Sequence, residues 1–135
     1  MENCKKFTDE NITKLNVNEI FVFGSNEEGE HGKGAALTAM QKFGAKKGKG
    51  IGLVGRSYGI PTCSCKFENG RKKVRPISLI KIKVYVDDFI EFAINNPDLT
   101  FLVTKIGCGL AYYKISDIAP FFKFAVDNEI DNIVL

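Results

Sequence analysis

The chain has 135 residues, 44% of them hydrophobic with 11 Phe, and a formal net charge of +3. One domain spanning 1–135 is expected at that length, with apolar residues enough for a sizeable core. The mild charge carries no strong nucleic-acid signal, and no run approaches the roughly 20 apolar residues that a bilayer span needs, so no membrane association is expected.

Residues 1–16 are polar and read as partly irregular. The start, Met1-Glu2-Asn3-Cys4, is polar and no apolar signal core follows it. Glu19 to Phe23 is an apolar run closed by Gly24, the pattern of a buried strand. A polar, glycine-rich loop follows, and Lys33 to Phe43 then reads as a helix with Ala36, Met40 and Phe43 on one face. Gly44 is a natural residue to end it. Lys46-Lys47-Gly48-Lys49 reads as a solvated loop, as does Arg71-Lys72-Lys73-Val74-Arg75, the alternative being an acidic ligand near one of them. Ile51 to Val54 and Tyr58 to Pro61 are short extended pieces joined by Gly55-Arg56-Ser57. Thr62 to Val74 is a loop or hairpin in which Asn69-Gly70 signals a tight turn.

A helix is expected from about Val84, where Val86, Phe89, Ile90, Ala93 and Ile94 repeat at helical spacing. Asp87 and Asp88 would lie in its solvated first turn. Asn95-Asn96-Pro97 ends it. Leu99 to Thr104 is a second clear strand, and Gly107 to Tyr113 a loop. Ser116 is a candidate N-cap for a last helix carrying Ile118, Phe121, Phe122, Ala125 and Val126, with Asp117 serving its start. Asn132 to Leu135 is a short terminal strand. Strands alternating with helices predict an α/β layered fold with a mixed, largely parallel sheet.

Two strand-to-helix glycine loops stand out: Gly24-Ser25-Asn26 through Gly32-Lys33-Gly34-Ala35, and Ile106-Gly107-Cys108-Gly109-Leu110. In parallel sheets, ligands bind beyond the carboxyl ends of the strands, where both loops should lie. Glycine allows close backbone approach, and the free N–H groups of a helix start attract an anion. Neither a P-loop nor a Rossmann fingerprint is present, so the pair of loops, rather than either alone, points to a phosphate-bearing ligand.

His31 is the sole histidine. It is either a general acid or base on a ribose hydroxyl or a water, or an exposed loop residue. Cys108 is either a nucleophile activated by a helix start or, better, a small buried side chain between two glycines. Tyr112 and Tyr113 are either a ligand lid or packing residues. Cys63 and Cys65 are too close for a usual zinc knuckle and His31 is remote, so no metal or cofactor is expected. Free thiols fit a reducing, cytoplasmic setting.

Phe23-Gly24-Ser25-Asn26 followed by Gly32-Lys33-Gly34-Ala35-Ala36 resembles the Asn-then-glycine-loop segment of macro domains. It is closest to a branch whose following helix ends in Lys-Phe-Gly, here Lys42-Phe43-Gly44. Val103 to Leu110 is similar to the second ligand loop of that branch, and Tyr58-Gly59-Ile60-Pro61-Thr62 to an intervening strand. The resemblance covers residues 19–135 and extends to small macro-like proteins of bacteriophages. It implies a three-layer α/β/α fold and an ADP-ribose-type ligand, either a small molecule or an ADP-ribosylated macromolecule. Asn26 would face the distal ribose, Gly32, Gly34 and Ala35 the first phosphate side, and Gly107 to Leu110 the diphosphate. Tyr112 or Tyr113 would cap the ribose, and Asp9 is the candidate reader of adenine. The hydrolase branch carries an acidic residue where Ala111 stands here, and a lysine near Thr62, Cys63 or, approximately, Lys66. Binding is therefore the leading expectation. The alternatives are hydrolysis of an ADP-ribosyl, phosphate or glycosidic bond, with Asn26 and His31 positioning and activating water, and a non-catalytic interaction protein of phage and host.

Overall fold

The computed structural model describes residues 14–32, 34–106 and 113–135. Its central strand, β1 (Glu19–Asn26), is apolar on both faces. Ile20 and Val22 enter one core, while Phe21 and Phe23 enter another. Alternate strand residues face opposite ways, so a strand covered on both sides reads as an unbroken apolar run.

β1 pairs in parallel with β3 (Ser57–Glu68) on one side and β5 (Thr100–Val103) on the other. β5 pairs in parallel with β6 (Ile133–Val134). β2 (Gly52–Val54) and β4 (Arg71–Pro76) run antiparallel to β3. The order is β2-β3-β1-β5-β6, with β4 attached to β3. This is the expected mixed, mostly parallel sheet of an α/β protein.

The larger core lies under α2 (Leu79–Ile94), which buries Ile82, Val86, Phe89, Ile90 and Ala93. Phe89 meets Phe101 edge-on, with ring centroids 5.4 Å apart. The same core takes Ile118, Phe122 and Ala125 from the last helical segment. The smaller core lies under α1 (Gly34–Lys42), where Phe43 packs on Phe21 at 4.9 Å. Gly44 follows with a left-handed φ of +85°, the helix stop expected of it.

Several local expectations are corrected. α2 starts at Leu79, not near Val84, because Ser78 caps it by accepting the Lys81 N–H at 3.2 Å. Asp87 and Asp88 consequently sit in mid-helix, exposed, with Asp87 paired to Lys83. In α1 the buried residue is Ala39, while Met40 is exposed. The last helix is broken into α3 (Ile115–Ile118), a 3-10 turn (Ala119–Phe122) containing Pro120, and α4 (Lys123–Asp127). Lys114, rather than Ser116, is the N-cap of α3, and its N–H donates to the Asp117 carboxylate at 3.0 Å. Arg71 to Arg75 is not a loop but most of strand β4, joined to β3 through Asn69 and Gly70 at φ +53° and +76°. Both positive φ values are those of a type I′ hairpin turn.

Asn132 ties the far edge of the sheet. Its amide Nδ2 lies 2.8 Å from the Ala93 carbonyl, 3.2 Å from that of Asn96 and 3.0 Å from that of Leu99. Among the described residues, no helix is long and apolar enough to cross a membrane.

Candidate functional site

Chain connections on the two sides of β1 and β5 diverge. After β1 the chain enters α1, which covers the Phe21 and Phe23 face. After β5 it proceeds to α3 and the 3-10 turn, whose Ile118 and Phe122 lie on the Ile20 and Val22 face. The two strands are adjacent and parallel, so their carboxyl ends share one edge of the sheet.

The loop leaving β1 is braced from within. The Asn26 amide brackets Glu30: Nδ2 donates to its carbonyl at 2.8 Å and Oδ1 accepts its N–H at 2.7 Å. Ser25 is buried and its hydroxyl donates to the Gly50 carbonyl. The Gly29 carbonyl accepts the Gly48 N–H at 3.0 Å. Segment 46–50 thus lies directly on the first half of the loop. A Cβ on Gly29 would overlap the Lys49 backbone nitrogen, and one on Gly50 would overlap the Asn26 carbonyl oxygen. These glycines serve contact between two backbones.

His31 belongs to the same contact and is not the exposed loop residue of the plainer expectation. It is 3% exposed, with its ring edge-on to Phe23 at 5.5 Å. Nε2 lies 3.0 Å from the Lys46 carbonyl and 3.2 Å from that of Lys49. Carbonyls only accept, so Nε2 carries the hydrogen and holds segment 46–50. Nδ1 is buried and has no partner among the described residues.

Beyond His31 the loop opens. Gly32 is exposed, and the Lys72 Nζ lies 3.8 Å from where its Cβ would stand. Gly34 starts α1 at φ +60° with nothing among the described residues within 4 Å of a Cβ, and the first turn of that helix has no acidic residue. Ala35 packs partly against the small core. Lys33 lies outside the described residues.

At the same edge, carboxylates are held by neighbours. Glu28 accepts the Cys65 N–H at 2.5 Å and the Ser64 hydroxyl at 3.1 Å, taking the place of a strand partner beyond the end of β1. Glu27 accepts the Tyr85 hydroxyl at 2.7 Å and the Lys81 ammonium at 2.6 Å. Burial acts to raise the Glu27 carboxyl, but the bonds from Lys81 and Tyr85 outweigh it and hold it below its ordinary value. Burial, with the hydrogen bond to Glu27, pushes the Tyr85 hydroxyl up to about 12. Burial also pushes the Cys63 and Cys65 thiols up, away from the reactive thiolate.

The second loop is seen only at its ends. Ile106 is buried in the larger core, so its side chain is a packing residue. Tyr113 donates its hydroxyl to the Ile77 carbonyl at 2.6 Å and packs on that core. Gly107, Cys108, Gly109, Leu110, Ala111 and Tyr112 lie outside the described residues, as does Asp9. Thr62 and Cys63 are buried beneath Ser25, and Lys66 is exposed.

Sequence reading missed Glu27, Glu28 and Tyr85, and named Lys72 only as part of a basic run. The two glutamates directly follow Asn26, so their place at the carboxyl edge was available from the end of β1. Lys72 reaches the loop only because the hairpin folds back at Asn69-Gly70. Among the described residues, no group of three or more His, Cys, Asp or Glu side chains could hold a metal ion. Comparison with family models, with curated proteins and with solved structures finds no match to this chain.

Proposed function

We propose that this chain binds an ADP-ribose-type ligand, free or carried on a macromolecule, across the carboxyl ends of β1 and β5. The observation that carries the proposal is the divergence of the two connections: one to α1 on one face, the other to α3 on the opposite face. In open α/β sheets a crevice forms where neighbouring connections depart to opposite sides, and ligands occupy it. Helices on both faces also support a three-layer, macro-like arrangement.

The open half of the first loop supports a phosphate there. Among the described residues nothing lies within 4 Å of a Cβ on Gly34 at the start of α1, and the Lys72 ammonium stands beside Gly32. A helix start and a nearby cation both favour a diphosphate. Gly107 to Leu110 would close on it from the β5 side, as the macro-domain resemblance implies. Asn26 and His31 are engaged with loop backbone, which favours binding over water activation.

Titration calorimetry with ADP-ribose tests the proposal. A saturable heat is expected, competed by ADP. No heat at millimolar ligand overturns it.

A further inference from the structure

We infer that the β3–β4 hairpin is a single-stranded nucleic-acid binding arm. Cys63 to Pro76 carries five of the chain's 19 cationic residues, Lys66, Arg71, Lys72, Lys73 and Arg75, and one of its 16 carboxylates, Glu68. The arm is therefore net +4 within a chain that is net +3, which leaves the remainder slightly acidic. Charge averaged over the chain conceals this concentration.

The arm is built to present that charge. β1 pairs with β3 only as far as Cys63, and beyond that β3 has β4 as its strand partner. Every residue of β4 is exposed. The register sets Lys66 opposite Lys73 and Ser64 opposite Arg75, so Lys66, Arg71, Lys73 and Arg75 share one face. Arg71, Lys73 and Arg75 recur about every 6.6 Å along the strand, a row that a sugar-phosphate backbone can follow. Of the five cations, Arg75 is the one in an ion pair among the described residues, with Glu68 at 3.3 Å. Like charges set directly opposite, as Lys66 and Lys73 are, cost stability in a free hairpin. A polyanion relieves that repulsion.

An aromatic ring distinguishes the kind of polyanion. Phe67 is 67% exposed on the other face, opposite Lys72. On that face the ring stands beside Lys72, across the two-stranded ribbon from the cation row, and is a stacking platform for an unpaired base whose backbone crosses the ribbon's edge, whereas Asp and Glu side chains offer no flat ring. A duplex keeps its bases stacked and gives Phe67 nothing to bind. The inference does not rest on the ADP-ribose reading.

Fluorescence anisotropy of the full chain with a labelled oligothymidylate tests it. Four unpaired cations predict a slope of log affinity against log salt of about −2.8. The double variant Arg71→Glu/Lys73→Glu should bind at least about tenfold more weakly and flatten the slope by about 1.4. Phe67→Ala should weaken binding about tenfold with the slope unchanged. Both changes are at exposed positions, and an unaltered thermal melt confirms folding. Absence of binding overturns the inference. So does equal binding of duplex DNA or polyglutamate, or an affinity unaffected by Phe67→Ala.

Discussion

The two halves of the first glycine loop look alike in sequence and differ in space. Before His31, Gly29 faces the backbone of segment 46–50, and Gly50 from that segment faces Asn26 in return. After His31, Gly32 and Gly34 face a lysine ammonium and open space. The first pair is glycine because two backbones touch. The second is glycine at the start of a helix, with open space beside Gly34 among the described residues. A glycine-rich loop is thus not one signal but two, and among the described residues open space lies in the second half.

The largest expected effect comes from closing the covered half. Gly50→Ala forces a methyl group onto the Asn26 carbonyl and should cost about 3 kcal/mol, the upper end of overpacking penalties. Denaturant unfolding measures it, and a loss below about 1 kcal/mol would show that segment 46–50 is not fixed on the loop.

Gly34→Ala tests the open half. Its positive φ of +60° predicts a loss of about 1 kcal/mol, since nothing among the described residues lies near enough to clash. Its effect on ADP-ribose affinity should exceed its effect on stability. Equal small effects on both would remove Gly34 from the ligand site.

The smallest effect concerns the carboxylates at the sheet edge. The folded-state pKa of Glu27 lies below its ordinary value of 4.5, so its bonds stabilise the fold above that pH. The contribution is lost as pH falls from about 4.5 through the lower folded value. Tyr85→Phe removes one of the bonds that lower it. The variant should therefore lose less stability between pH 5 and 3 than the parent does, as read from urea midpoints at each pH. Parallel curves would show that Tyr85 leaves Glu27 unaffected.

What the sequence made legible follows from how each element is encoded. β1, the Asn69-Gly70 turn and the strand before Thr104 depend on local patterns, and all are present. The start of α2 was obscured because Ile77, Leu79 and Ile80 precede alternating lysines and apolar residues, a period close to that of a strand. Ser78 was the helix signal there. The burial of His31 was not legible at all. Its partners are the carbonyls of Lys46 and Lys49, and a backbone carbonyl has no residue identity to read. The long side chains of that segment are solvated as expected, while its main chain forms a wall.

Asn132 makes one side-chain atom the fastener of the sheet's far edge. One side-chain nitrogen holds the end of α2 and the approach to β5 through three carbonyls. Asn132→Asp would replace that donor with a carboxylate facing three acceptors, none able to supply a proton. A single nitrogen-for-oxygen exchange would thus unfasten the sheet at its β6 edge.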